Sequence, residues 1–593
     1  MNTGMERFCR MKPAGAPALV SGKPIERWLM LAVFLLLVCK TASAGSSRPH
    51  IFYSDLESGP NSGGEKNAGA YVTIYGIHFG SSRGASTVTV GGRAVSSYPI
   101  WTDSKITFQL GALVATGPIV VVTPAGSSNT DVLFTVRKNG TCGVNRNQEC
   151  LYFVAERGRD SNSGNFSSPW RTVPYAVEHS PVGAIIYTSV SQLTDDGQTW
   201  KAAITLRNYW CGASPDGYPR ALVAYPGAAV TIGTATGPYA EVGIRGTDLS
   251  AGEGACTGYW TFAGLQLRGI VAVLLNGTSR TNPSSHWRFV DNDLSCPDGD
   301  GATGCWETSF ASYIRAYGNQ VHDTGRIGPP TASAMYHGVY FSTDSNQIDF
   351  GWNTIAHVHG CRGLQVYSTR LDPQSGYNSY DIAIHDNVIH DTQCDGMVIN
   401  NIDPSKGPVR IYNNIIYNAG TGPNNPEHTG NWSCIYVPGE TNNGSPGRGT
   451  VEVYNNTLYN CGSFPDPPYG HSTSAVTNAG INPEIRVEVR NNIIYQQKGV
   501  PYLLCAPAFF CRGIYGSNNL FFGSGAAPFL SGLSNSINKD PLFANLARGD
   551  FHLTAASPAR GFGVDTGLSS DADGDARNSN SLYDLGALQF EAP

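Results

Sequence analysis

The stretch Ile382-Ala383-Ile384-His385-Asp386-Asn387-Val388-Ile389-His390 carries the pattern on which most of this chain is built. Apolar side chains recur at every second position on both sides of one asparagine. The same arrangement returns at intervals of 27 to 42 residues, at Asn292, Asn319, Asn353, Asn387, Asn414, Asn456 and Asn492. Of the 21 positions five and three residues before these asparagines and two residues after them, only Ala316 is not large and apolar.

Two strands of period two that meet at an asparagine, and that recur at a variable interval, predict the coil of a parallel β-helix. Each asparagine is expected at a tight bend, with a left-handed backbone and a hydrogen bond to the asparagine one coil away. Loops of different length at one corner of each coil account for the variable interval. We therefore predict an all-β chain in which a right-handed parallel β-helix spans residues 145–535.

Residues 49–137 form short runs of alternating apolar and polar residues between glycine-rich turns, which is typical of a small β-sandwich. This segment resembles the IPT/TIG immunoglobulin-like domain at Gly63-Gly64, Val72–Gly80, Val90-Gly91-Gly92, Trp101 and Gly117. The resemblance implies an N-terminal Ig-like β-sandwich that serves as a spacer or as a binding module.

Two further segments resemble parts of secreted bacterial pectin-lyase-like β-helix proteins. Leu151–Val154 and Ser168–Val173 are similar to the strand and loop that lead into the capping helix of those proteins. Residues 536–593, with the acidic run Asp571–Asp575, are similar to their choice-of-anchor tail, which implies a tail that completes the β-helix. The acidic run lacks the closing Glu of an EF-hand, so a surface turn is favoured over a metal site.

Charged residues make up 14% of the 593, and the formal net charge is −6, so no basic surface for nucleic acid or an anionic membrane is expected. The apolar run Leu29–Val38 follows Lys23 and Arg27 and precedes Ala42-Ser43-Ala44, which predicts a signal peptide over residues 1–44. We expect a secreted or cell-surface monomer that has no membrane span in its mature form and whose partner is an extracellular polysaccharide.

Twelve cysteines follow the predicted signal peptide, and an even number in an oxidising compartment favours disulfides. Three close pairs are able to clip surface loops, namely Cys142 with Cys150, Cys296 with Cys305 and Cys505 with Cys511. Cys361 and Cys394 stand at equivalent positions of successive coils, which brings them within disulfide range of each other.

Four coils begin their third strand at equivalent positions, with His337, Arg362, Asp395 and Ser433. Because successive coils stack about 4.8 Å apart, these side chains are predicted to form one polar column. The corner loops before His337 and Ser433 are long, whereas those before Arg362 and Asp395 are short. We therefore predict that the long loops form two walls and that a cleft lies between them at Arg362 and Asp395. An Arg–Asp pair one coil apart is equally compatible with a structural ion pair.

The first function that fits this cleft is a polysaccharide lyase. Elimination beside a uronate needs a cation that neutralises the carboxylate and a base that takes the adjacent proton. The catalytic candidates are Arg362, Asp395 and His337, with Arg362 or His337 as the base. The candidate ligands of a Ca²⁺ ion are Asp395, Asp344 and Glu427, and the candidate substrate-binding residues are Tyr340, Gln365, Tyr367, Asn400, Ser433, Trp432 and His428.

Two alternatives stay open at this point. A glycoside hydrolase would use Asp395 with Asp344 or Asp372 as its pair of carboxylates. A non-catalytic polysaccharide-binding or cell-surface protein is favoured by the IPT/TIG resemblance, by the anchor-like tail and by the lack of an intact catalytic motif of the pectin-lyase-like families.

Overall fold

The computed structural model describes residues 48–138, 140–197, 201–207, 210–234, 241–246, 256–327, 335–368, 378–420, 433–438, 447–462, 474–479, 482–497, 499–505, 513–525, 532–577 and 583–591. Strands dominate this part of the chain. Its helices are α1 (Val173–His179) and two 3-10 turns, Glu65–Asn67 and Leu546–Arg548. No helix in these ranges has the length and the apolar character that crossing a membrane would require.

The first ten strands form a sandwich of two sheets. Its strands are β1 (His50–Ser54), β2 (Ser58–Pro60), β3 (Tyr71–Ile77), β4 (Thr87–Val90), β5 (Arg93–Ala94), β6 (Ser97–Trp101), β7 (Lys105–Gln109), β8 (Gly117–Thr123), β9 (Gly126–Ser127) and β10 (Leu133–Arg137). One sheet has the order β1-β3-β7-β6, and the other runs β2-β10-β8-β4-β5, with β9 beside β8. The alternating residues of both sheets bury a shared core, so the predicted Ig-like sandwich is confirmed.

The rest of the chain winds into three parallel sheets, named here in the order in which each coil visits them. The first sheet contains β11 (Leu151–Val154), β12 (Ile185–Thr188), β14 (Arg220–Ala224), β17 (Gly258–Ala263), β20 (Ser284–Val290), β23 (Ala311–Tyr317), β26 (Asn346–Gly351), β29 (Ile382–His385), β32 (Val409–Tyr412), β35 (Gly449–Tyr454), β38 (Ile485–Arg490), β41 (Ile514–Ser517) and β43 (Leu533–Ser534).

The second sheet contains β15 (Thr231–Ile232), β18 (Gln266–Arg268), β21 (Asp293–Cys296), β24 (Gln320–Thr324), β27 (Thr354–Val358), β30 (Val388–Thr392), β33 (Ile415–Ala419), β36 (Thr457–Tyr459), β39 (Ile493–Gln496), β42 (Leu520–Gly523) and β44 (Ile537–Asn538). The third sheet contains β13 (Ala202–Thr205), β16 (Val242–Arg245), β19 (Val271–Asn276), β22 (Gly304–Ser309), β25 (His337–Ser342), β28 (Leu364–Tyr367), β31 (Met397–Asn400), β34 (Ser433–Val437), β37 (Ser474–Asn478) and β40 (Leu503–Cys505). The predicted parallel β-helix is confirmed.

The asparagines form a continuous hydrogen-bonded ladder where the first sheet turns into the second. From Asn319 to Asn519, each Oδ1 accepts from both the backbone N–H and the Nδ2 of the preceding asparagine, at 2.9 to 3.1 Å. Each Nδ2 also donates to a backbone carbonyl in the first sheet, as Asn387 does to Phe350. The bend therefore buries amides whose donors and acceptors are satisfied.

The left-handed backbone lies one residue before each ladder asparagine and not on it, which corrects the sequence prediction. The residues before the ladder have φ between 52° and 64°: Asp291, Gly318, Trp352, Asp386, Asn413, Asn455, Asn491 and Asn518. Mostly short polar side chains fill these positions, since Asp and Asn tolerate this conformation better than other residues. The ladder asparagines are thereby free to point their amides inward.

The sandwich packs against the outer face of the first sheet instead of standing apart as a spacer. Its buried residues share one apolar cluster with Phe153, Ile185 and Val223 of that sheet. Polar contacts join the same surfaces: Lys105 Nζ lies 2.6 Å from Asp291 Oδ2, and Arg288 donates to the Ser54 carbonyl at 2.6 Å. The IPT/TIG-like domain is therefore packed against the side of the β-helix.

The C-terminal segment returns along the asparagine corner. A short antiparallel pair, β45 (Phe543–Asn545) and β46 (Asp550–Leu553), precedes this return. Asn491 then donates to the Val564 carbonyl at 2.7 Å, and Arg577 donates to Asn413 Oδ1 at 3.1 Å. The predicted tail begins by adding β44 to the second sheet beside β42, and its later residues run alongside coils that are already formed.

Replacing Asn387 by Ala tests the ladder. The variant loses two donated and two accepted hydrogen bonds at a fully buried position, so we expect a loss of about 3 kcal/mol in the free energy of unfolding. Urea denaturation followed by circular dichroism measures it, with the partly exposed Thr354→Ala on the adjoining strand as the matched control. Equal midpoints for the two variants would contradict a stabilising ladder.

Candidate functional site

The register of the third sheet brings the four predicted column residues together. Val339 pairs with Leu364, Leu364 with Met397, and Met397 with Ile435, so the residues two positions earlier on each strand are also equivalent. Those residues are His337, Arg362, Asp395 and Ser433. The predicted column is confirmed.

Asp395 lies behind the surface. It is completely buried, and its Oδ1 accepts the Ser433 backbone N–H at 2.7 Å while Arg362 Nε lies 3.5 Å from its Oδ2. Burial raises the pKa of this carboxyl to about 7, and the Arg362 charge and the Ser433 hydrogen bond oppose that rise. Arg362 retains 12% exposure of its side chain and also donates to Gln365 Oε1 at 2.7 Å.

His337 is a buried neutral imidazole. Its residue exposure is 1%, and its Nδ1 has no hydrogen-bond partner among the residues that the structure describes. Burial lowers its pKa well below the usual value, and the neighbouring Arg362 cation lowers it further. The ring meets Tyr340 edge-on, with the two ring centroids 5.3 Å apart. These effects favour the unprotonated imidazole, which is the form that accepts a proton.

A cavity of about 380 Å³ opens on the outer face of the third sheet. Among the predicted catalytic residues, His337 and Arg362 line it. Four predicted substrate-binding residues also line it, namely Tyr340, Gln365, Tyr367 and Asn400. Ser433 does not, because it is fully buried and its Oγ lies 2.8 Å from Thr477 Oγ1.

The cavity includes residues that the sequence reasoning did not select, such as Met335, Val398 and Tyr436. Val398 and Tyr436 follow Gln365 at equivalent positions of the next two coils, so continuing the register would have found them. Glu307 is the corresponding residue one coil before Tyr340, and burial raises its pKa. It is an acidic side chain close to this rung of the sheet.

Asp344 does not belong to the column, which corrects its selection as a partner of Asp395. It follows the far end of β25, seven residues or roughly 20 Å beyond His337 along an extended strand. There its carboxylate pairs with Arg280, whose Nε lies 2.9 Å away. The other residues selected for this cleft, Glu427, His428, Trp432 and Asp372, lie outside the described ranges.

Of the three candidate calcium ligands, Asp395 and Asp344 lie in the described ranges and Glu427 does not. Asp395 is already paired with Arg362 and Ser433, and Asp344 is too distant to share an ion with it. Within the described ranges, the carboxylates and imidazoles that cluster at metal-binding spacing lie elsewhere, at His357, His390 and Asp391 and at His78, Asp575 and Glu591. The cavity beside the column is instead lined by a guanidinium, an imidazole and phenols.

Five disulfides join described cysteines, and the predicted pairs Cys142–Cys150, Cys296–Cys305 and Cys361–Cys394 are confirmed. The Cys361–Cys394 bridge joins successive coils directly before Arg362 and Asp395, with its Cα atoms 4.7 Å apart. It fixes the backbone beneath the column. Cys211–Cys256 and Cys434–Cys461 were not predicted, and Cys511 of the third close pair lies outside the described ranges.

This chain is similar to the following solved structures at low sequence identity. Pectate lyase Pel9A is 15% identical, with a TM-score of 0.45 over 74% of this chain and 96% of that chain. XylC in complex with xylose is 10% identical, with a TM-score of 0.37 over 74% and 99%. The GH136 lacto-N-biosidase from Eubacterium ramulus is 12% identical, with a TM-score of 0.31 over 65% and 67%. Such scores carry no information on substrate or mechanism.

Comparison by sequence identifies the N-terminal domain. No curated protein matches the chain. The family model of the IPT/TIG domain matches residues 58–136, which hold β2 to β10 of the sandwich. This segment of the chain therefore belongs to the IPT/TIG domain family.

Proposed function

We propose that this protein is an exported polysaccharide lyase that cleaves a uronate-containing polysaccharide in the cavity of the third sheet. The set of groups at that cavity supports the proposal. Arg362, His337, Tyr340 and Tyr367 line it, and no carboxylate lies among the described lining residues. A glycoside hydrolase needs two carboxylates beside the bond, whereas elimination needs a cation, a base and an acid.

The proposed reaction assigns one task to each group. Arg362 pairs with the uronate carboxylate, which makes the proton on the adjacent carbon more acidic. His337 accepts that proton, and the released electron pair forms a carbon–carbon double bond while the glycosidic C–O bond at the next carbon breaks. The leaving oxygen takes a proton from Tyr340, which remains protonated because burial raises its pKa.

Asp395 has a positioning task in this scheme, since it holds Arg362 from behind and does not reach the cavity. A calcium ion is not part of the proposed reaction, because the described residues do not provide a site for it at the column. Export is proposed from the expected signal peptide, and the five disulfides support it because they are typical of an oxidising compartment.

Substitution of His337 and Arg362 tests the reaction. Elimination creates an unsaturated uronate that absorbs near 235 nm, so pectate, alginate and glycosaminoglycans are screened at that wavelength. On a polymer that responds, we expect His337→Gln and Arg362→Gln each to lower kcat/KM by at least about 100-fold, the usual effect of removing a general base or a charge-stabilising group. The matched control is His390→Gln, on the second sheet. No absorbance rise on any uronate polymer would exclude the lyase.

The pH dependence provides a separate test. A general base works when unprotonated, so activity falls as pH drops through its pKa. Because burial and Arg362 hold the pKa of His337 well below 6.5, the acidic limb of kcat/KM is expected below pH 6.5. Arg362→Gln removes the effect of the cation, so we expect the pKa of His337 to rise. The acidic limb of the residual activity is then expected to move to higher pH. A parent limb at or above pH 6.5 would argue against His337 as the base.

The second candidate is a non-catalytic polysaccharide-binding protein. The burial of Asp395 and of His337 favours it, because enclosed groups have restricted access to a polymer. Binding to a polyuronate without any rise at 235 nm and without release of reducing ends would support this function over the lyase.

A further inference from the structure

An aromatic shelf lies at the start of three strands of the first sheet, away from the cavity of the third sheet. It consists of Tyr259, His286 and Tyr313, which occupy equivalent positions of successive coils. The rings of Tyr259 and His286 stack with centroids 4.1 Å apart and an interplanar angle of 9°, and those of His286 and Tyr313 stack at 4.5 Å and 19°. Tyr313 is 48% exposed, so this end of the shelf is accessible to solvent.

The backbone at the shelf does not call for aromatic residues. All three have a left-handed φ, of 62°, 59° and 51°, and the same column continues with Gln347 at 53° and Asp381 at 56°. A left-handed backbone disfavours bulky side chains, and Gln347 and Asp381 show that non-aromatic polar residues also occupy this column. The left-handed backbone therefore does not account for the aromatic side chains, and their contacts explain them better.

The shelf borders a cavity of about 330 Å³ between the first sheet and the IPT/TIG domain. Among its described lining residues, three carry a guanidinium, Arg137, Arg288 and Arg315, and one carries a carboxylate, Glu57. Glu57 Oε1 accepts from Arg315 at 2.8 Å and from Arg288 at 3.1 Å. In a chain of net charge −6, this cavity is a local concentration of positive charge.

Glu57 and Arg288 line this cavity and also a larger cavity of about 630 Å³. The larger cavity has further rings along it, including His385 and Tyr412, which stack with centroids 5.0 Å apart. It also contains Asp131 and Asp349, so the excess of positive charge is confined to the shelf end.

From this geometry we infer that the aromatic shelf and Arg315 bind a carboxylate-bearing oligosaccharide segment at a site separate from the cavity of the third sheet. Flat aromatic faces suit the apolar faces of pyranose rings. A guanidinium suits a carboxylate, to which it donates two parallel hydrogen bonds. The preference for a uronate over a neutral sugar also rests on the proposed function, whereas the shelf and the charges are independent of it.

Affinity electrophoresis tests the inference with the full chain. The protein migrates through native gels that contain polygalacturonate, alginate or neutral xylan, and its retardation gives the affinity. We expect His286→Ala/Tyr313→Ala to weaken binding to the acidic polymer at least tenfold, and Arg315→Gln to weaken it by a similar factor. Gln347→Ala is the matched control, since it alters the same left-handed column outside the shelf. It is expected to migrate like the parent.

A variant of the third-sheet cavity distinguishes a second binding site from the proposed lyase activity. The variant His337→Gln/Arg362→Gln removes the proposed catalytic groups, and retention of its shelf-dependent retardation supports the second site whether or not the parent is active at 235 nm. Retardation of the parent by an acidic polymer that His286→Ala/Tyr313→Ala leaves unchanged would overturn the inference, as would the absence of retardation of the parent in every gel. Equal retardation by xylan would overturn the assignment to acidic sugars.

Discussion

The hydrogen-bonded ladder of buried asparagines sets the register on which the rest of the β-helix depends. Each side-chain amide must meet the asparagine of the next coil, since a buried amide left without partners costs a substantial part of the stability of a protein. A slip of one residue would turn the apolar face of a strand towards solvent. Residues about 30 positions apart in the sequence thus become neighbours, and columns of side chains form on the outer faces without local contacts of their own.

Much of this arrangement could be predicted because it has a local signature. Alternating apolar residues and a repeated asparagine define the coils, and counting from them places His337, Arg362 and Asp395 in one column and Cys361 beside Cys394. Where this local signature is incomplete, the prediction fails for a physical reason. Asn519 extends the ladder, yet the alignment missed it because Gly516 replaces the apolar residue three positions earlier.

Features that depend on the packing of distant segments of the chain against each other could not be predicted from the sequence. The sequence does not reveal that Asp395 is buried while Arg362, at the equivalent position one coil before it, lines a cavity. The docking of the IPT/TIG domain on the first sheet likewise has no periodic signal. Burial then has opposite effects at the column, since it raises the pKa of Asp395 and lowers that of His337. Both shifts favour the neutral form, which leaves Arg362 as the charged group facing the cavity.

Disulfide mapping tests the register most directly. Cys361 and Cys394 lie on successive coils with Cα atoms 4.7 Å apart, and Cys434 and Cys461 also join successive coils at 5.2 Å. Proteolysis of the unreduced protein and mass spectrometry identify the linked peptides. The account predicts the links Cys361–Cys394 and Cys434–Cys461. A link between Cys361 and Cys434, or free thiols at these positions in protein from an oxidising compartment, would contradict the stacking from which every column was derived.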